Sequence, residues 1–148
     1  RLAEFFDAEQ VVTPEQRERV LKIVLNLSWR KELEDTQGTI EYFDEMRVVQ
    51  DADRLDAIGA VGVARCFAFS GAKMRPFYLA DRPPIANMTH EQYNRQTVLN
   101  ESTAVNHFYE KLLLIKEKMK TEEGRRLAEQ RHTYMLAFLE QFNMECHL

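Results

Sequence analysis

Three aspartates, Asp51, Asp53 and Asp56, lie close together in "VVQDADRLDAIGAVGVARCFAFSG", residues 48–71, a run otherwise rich in Val, Ala, Leu, Ile, Gly and Phe. Arg54 and Arg65 are the only other charges in it. On a helical period Asp53 and Asp56 share one face a turn apart, Arg54 points elsewhere, and Asp51 lies half a turn from Asp53. Val48, Ala52, Leu55, Gly59, Gly62, Cys66 and Phe69 form one stripe, and Val49, Ile58, Ala60, Val61 and Val63 spread apolar character around the rest. The spacing therefore predicts a buried helix. Two neighbouring carboxylates in a low dielectric repel, and an unpaired buried ion is costly. Either a cation sits between them, or one is protonated, or arginines pair with them. A purely structural arrangement is also open, with Arg54 and Arg65 closing salt bridges across a bundle and Asp51 favouring the helix dipole.

The elements that must position these groups read as all-α. Gly and Pro are scarce and strand-like alternation is nearly absent. Residues 2–9 read as a helix tail. Thr13, Pro14 and Gln16 form a helix-start signature, with Thr as cap, Pro at the first position and Gln reaching back. That helix is expected to reach about Leu27, with Val20, Ile23, Val24 and Leu27 on one face. "SWRKELEDTQGT" is expected as a polar loop, followed by a helix from about Tyr42 or Asp44 that Gly71 stops. Residues 71–88 form a long loop with Pro76, Pro83 and Pro84, the kind of connection that often serves as a lid or wrapping segment. Thr89 and Gln92 open a short helix to about Thr97. Residues 102–119 read as one amphipathic helix through Val105, Phe108, Leu112 and Ile115. A last helix, 121–144, carries Leu127, Tyr134, Phe138 and Phe142 on one side, with Met135 and Met144 in the core.

The 148 residues, 45% hydrophobic and 30% charged, suit one globular domain. A net charge of −4 without a clear basic block argues against a nucleic-acid polymer as partner. No apolar run is long enough to span a bilayer, so a membrane is not expected. No signal-peptide pattern stands at the N-terminus, and two cysteines make neither a disulfide framework nor a zinc motif, which together point to the cytoplasm. Cys66 reads as a small core residue.

"ADRLDAIGA" resembles the last signature of the HD superfamily of metal-dependent phosphohydrolases, in which a helix carries Ala-Asp with a second acidic or polar residue three positions on. The resemblance implies that Asp53 is a metal ligand and Asp56 its neighbour on the substrate side. The whole chain looks like one branch, the small stand-alone bacterial and fungal HD hydrolases, some of which act as nucleotide pyrophosphohydrolases. That branch shows "NIS" where this chain has "NLS", Asn26 to Ser28, and "DADRLDAIGAIGIAR" on the metal helix, here Asp51 to Arg65. It also shows "NHFYEKLL", here Asn106 to Leu113, with "GRRLAEQRH" and "MLAFLEQF", here Gly124 to His132 and Met135 to Phe142. The fold so implied is an HD-domain-like helical bundle of five to six helices.

One departure is expected to matter. The family's His and His-Asp ligands lie upstream of "NLS", whereas His90, His107, His132 and His147 are downstream and none is followed by Asp. The chain also begins at Arg1 in mid-pattern, so it is expected to be the C-terminal part of a longer hydrolase domain and inactive alone, since one carboxylate does not hold a catalytic cation.

For an intact member the resemblance implies hydrolysis of a small phosphate ester or nucleotide, assisted by a divalent ion such as manganese or magnesium. Asp56 and His107 are the candidate catalytic residues, Asp53 the metal ligand, and Asn26, Ser28, Arg65 and Lys111 the candidate substrate contacts. Each has a plainer role. Lys111 pairs with Glu110 or Glu117, His107 is a core histidine, and Asn26 and Ser28 cap a helix end. Arg125, Arg126 and Arg131 pair with Glu122, Glu129 and their neighbours on a solvated face. Phe67, Phe69, Phe77 and Tyr78 either wall a base pocket or belong to the core. The competing function is a non-catalytic helical domain binding a nucleotide or partner, and a homo-oligomer is open.

Overall fold

The computed structural model describes residues 5–6, 12–35, 37–85, 88, 91–92, 95 and 102–146, and among these every regular element is helical. In order they are α1 (Pro14–Asn26), α2 (Trp29–Glu34), α3 (Asp44–Asp56), α4 (Gly59–Ala72), α5 (Ala104–Glu110), a 3-10 helix (Leu112–Lys118) and α6 (Glu122–Cys146). No single helix among the described residues is long and apolar enough to cross a membrane. Two compact units, Arg1–Gln50 and Asp51–Leu148, divide the chain.

In the Arg1–Gln50 unit the start signature works as its chemistry requires. Thr13 Oγ1 accepts from Gln16 N at 3.2 Å while Gln16 Oε1 accepts from Thr13 N at 2.9 Å, so two orphan amides of α1 are satisfied reciprocally. No residue of α1 is buried, so its expected apolar face is not a core face, and Val24 is exposed. The expected polar loop holds the short α2, because Ser28 Oγ accepts from Lys31 N at 3.2 Å and caps a new helix. Asp35 then closes the turn by accepting from Thr39 N, Thr39 Oγ1 and Ile40 N at 2.6, 2.7 and 3.0 Å.

In the Asp51–Leu148 unit α4 packs on α6 and α5, and the 3-10 helix packs on α5 and α6. Ile58, Ala104, Val105, Phe108, Leu112, Ile115, Ala128, Met135 and Leu139 are buried there. The expected stripe through Val105 and Ile115 is thus the core face, although the segment is not one helix. It breaks at Lys111, whose φ of −144° and ψ of −57° leave the helical region, and continues as a 3-10 helix. On α6 the buried line is Gly124, Ala128, Met135 and Leu139, whereas Tyr134 and Met144 are exposed, contrary to expectation. Beside this core Phe67 is the hub of an aromatic cluster. Its ring centroid lies 5.2 Å from Phe77, 6.0 Å from Phe108, 5.8 Å from Phe138 and 6.0 Å from Phe142. The helix expected at 89–97 falls largely outside the described residues, as does most of the tail at 2–9, of which Phe5 and Phe6 are helical.

Candidate functional site

The segment expected as one buried helix is two. α3 ends at Asp56 and α4 begins at Gly59, whose φ of +76° sets the chain in the left-handed region open to glycine. A Cβ there would also press on the Arg131 side chain, whose Nη1 donates to the Leu55 carbonyl at the exposed end of α3. Arg131 therefore satisfies a helix terminus instead of pairing with a glutamate. Arg126 pairs with Glu123, and Arg125 Nη1 reaches the Met119 carbonyl at 3.3 Å.

The carboxylates are distributed in a way the sequence reading did not foresee. Asp51, only 2% exposed, accepts from Lys120 N at 2.9 Å and Thr121 N at 2.8 Å, and from Thr121 Oγ1 at 2.7 Å. These donors lie just before α6, whose cap is Thr121 itself, its Oγ1 accepting from Gly124 N at 2.9 Å, so Asp51 braces the capping residue from a distant part of the chain. A side chain at Gly124 would collide with the same carboxylate. Arg54 is equally buried. Asp53 and Asp56 are both exposed, which corrects the expectation of a carboxylate pair in an apolar interior. The physical reason is that α3 buries the line Met46, Gln50, Arg54, with Asp51 beside it, and turns Val48 and Val49 outward.

Asp56 forms an ion pair with Arg65, whose Nη1 also donates to the Asp56 carbonyl at 3.0 Å. With side chains 64% and 59% exposed, the pair is one of orientation more than of stability. Arg65 forms part of the wall of a cleft of about 470 Å³ together with Arg75, His107, Lys111, Glu110, Cys66 and Phe69. Asp53 lies near enough to Lys111 to favour its charged form, although burial pushes the ammonium below its ordinary value overall. Burial first, then the charges of Lys111 and Arg75, push His107 down to about 4, so its ring is neutral near pH 7. Burial likewise raises the Cys66 thiol to about 11 and keeps it protonated, and Cys66 Sγ donates to the Ala104 carbonyl at 3.6 Å.

One wall of the cleft is fixed by buried polar groups. Asn106 Nδ2 donates to the Arg82 carbonyl at 3.0 Å, and Glu110 accepts from Ser102 Oγ at 2.9 Å and Ile85 N at 3.4 Å. Ala104 N and Val105 N donate to the Pro76 and Phe77 carbonyls at 3.1 and 3.0 Å. The first turn of α5 and these two side chains thus hold the loop that presents Arg75. Sequence reasoning singled out Arg65, His107 and Lys111, which the fold brings to one cleft, and missed Arg75 and Glu110. Arg75 sits between Gly71 and Pro76, beyond the end of the helical pattern, where a cation has no periodic signal. The i, i+4 spacing of Asn106 and Glu110 on an otherwise buried helix was the available clue to the second.

Asn26 and Ser28 belong to the Arg1–Gln50 unit. There Asn26 Nδ2 donates to the Lys22 carbonyl at 2.8 Å, its own carbonyl accepts from Gln50 Nε2 at 2.7 Å, and Ser28 caps α2. Asn26 also lines a cavity of about 410 Å³ with Lys31, Glu34, Asp35 and Thr39. Among the described residues no three His, Cys, Asp or Glu side chains gather as a metal site requires. The described residues alone therefore do not fit a complete metal site.

No family model matches the chain. It is 38% identical over 134 residues to YpgQ of Bacillus subtilis, covering 90% of this chain and 55% of that one. A crystal structure from Lactobacillus plantarum superposes with a TM-score of 0.80 at 36% identity, over 99% of this chain and 65% of the other. YpgQ in complex with ADP matches with a TM-score of 0.68 at 33% identity, over 98% and 63%. An HD-superfamily hydrolase from Bacillus thuringiensis matches with a TM-score of 0.68 at 37% identity, over 98% and 60%. The chain therefore spans between about half and two thirds of the length of these relatives. By its helical fold and its sequence together, the chain belongs to the HD superfamily of hydrolases.

Proposed function

We propose that the chain supplies the phosphate-holding wall of a metal-dependent phosphohydrolase that acts on nucleotides or related phosphate esters. The observation that carries the reading is the convergence of Arg65, Arg75 and Lys111 on one cleft with a neutral His107. Three cations around a half-open cleft attract a polyanion, and a guanidinium fork matches phosphoryl oxygens in pairs. Arg65 and Lys111 bind the phosphates and offset charge on the leaving group. Asp56 holds Arg65 in place, and His107, uncharged, orients a water or a phosphate oxygen. A divalent ion, manganese or magnesium, is the cofactor of this reading, with Asp53 the one ligand these residues offer it. The complex of the relative YpgQ with ADP supports a nucleotide as the ligand class.

Calorimetric titration of the chain with pyrophosphate tests this. Lys111→Gln or Arg65→Gln should each weaken binding about 10- to 100-fold, the scale of a lost charge-assisted hydrogen bond. Unchanged affinity in both variants would remove the cleft from phosphate binding. In the full-length protein that carries this chain, Asp53→Ala should abolish metal-dependent phosphate release. Binding without turnover there would favour a non-catalytic nucleotide-binding domain.

A further inference from the structure

Four aromatic side chains lie around the end of α4, and the structure separates them. Phe67 and Tyr78 are at least half-buried and, with Phe77, belong to the aromatic cluster, Phe77 edge-on to Phe67 and Tyr78 6.2 Å from Phe142. Phe69 alone of the four lines the cationic cleft, and it remains 54% exposed there. The Lys73 ammonium and the Arg75 guanidinium stand over its ring at 5.8 and 5.7 Å from the centroid. Gly62, Arg65, Cys66 and Phe69 recur at three- and four-residue steps, so one face of α4 forms that side of the cleft. Arg65 and Phe69 are a turn apart, about 6 Å along the axis. A ligand whose phosphates lie against Arg65 would carry its next planar group over Phe69.

Resting on the phosphate-holding role of the cleft, we infer that the Phe69 ring, with Arg75 beside it, is the stacking platform for the base of a nucleotide. The chemistry is sequence-tolerant. Any purine or pyrimidine presents a π face to the ring, and a guanidinium can stack on the base or on the phenyl group. Selectivity at this position is therefore for having a base, not for which base.

The test compares two diphosphates, ADP and inorganic pyrophosphate, by calorimetric titration of the wild-type chain and of Phe69→Leu and Phe69→Trp. Because Phe69 is exposed, both variants should keep the wild-type far-UV spectrum and melting temperature. Phe69→Leu should weaken ADP about 5- to 150-fold, the range measured for lost base stacking, while pyrophosphate changes less than about twofold. Phe69→Trp should retain or strengthen ADP binding. Equal losses for ADP and pyrophosphate, or none for ADP, would overturn the platform and leave the phosphate cleft standing. Should wild type bind neither compound, or bind both undiminished in Lys111→Gln and Arg65→Gln, the cleft itself would fall and the platform with it.

Discussion

Asp51 and Asp53 stand two residues apart on α3 and meet opposite environments. Asp51 is enclosed, and its oxygens take up the backbone donors just before α6 together with the Thr121 hydroxyl. Asp53 is exposed near Lys111, and Asp56, one turn on, is exposed and paired with Arg65. A carboxylate whose oxygens are all engaged by the protein has nothing to offer a ligand. An exposed one near a lysine of the cleft still faces solvent. The difference separates an enclosed, structural carboxylate from an exposed one within a single turn of helix.

Three measurements break or sharpen that contrast. The largest effect belongs to Asp51→Ala, which leaves the part-buried Lys120 and Thr121 donors ahead of α6 without their acceptor and should cost about 1–3 kcal/mol in urea unfolding. Gly124→Ala should act in the same direction by displacing the same carboxylate. A loss below about 1 kcal/mol for Asp51→Ala would mean that the Thr121 cap of α6 holds without the Asp51 brace.

Next in size is the pH response of His107. Its folded-state pKa is depressed to about 4 by burial and by the charges of Lys111 and Arg75, so the unfolded chain binds its proton first as pH falls. The stability is intact above about 6.5 and is lost between about 6.5 and 4, at no more than about 1.4 kcal/mol per pH unit. His107→Gln should remove that part of the slope between pH 7 and 5. An unchanged slope would show that the ring is not shielded.

The smallest effect is expected at Asp56→Asn. An exposed ion pair contributes little, so stability should change by less than about 0.5 kcal/mol. A loss on the scale of Asp51 would erase the distinction between the two positions.

Much of this was legible in the residues. The capping box at Thr13, the buried stripe through Val105, Phe108 and Ile115, and the gathering of Arg65, His107 and Lys111 all follow from local pattern or from the motif resemblance. What escaped was set by distant partners. That Asp51 would be swallowed depends on Lys120 and Thr121, far along the chain. That α3 would bury Gln50 and Arg54 and expose Val48 contradicts its apolar stripe, and only packing decides it. Arg131 read as a solvated arginine because nothing local shows that its partner is a carbonyl in α3. Long-range capping has no period.

The interruption at Ala57 and Ile58 has a geometric consequence for the ion pair. Asp56 and Arg65 are nine positions apart. On an uninterrupted helix nine positions amount to about two and a half turns, which would set the two groups on opposite sides and about 13 Å apart along the axis. Juxtaposing an acid and a guanidinium thus required a kink at a glycine with a positive dihedral, and straightening it would dismantle the arrangement without touching either residue.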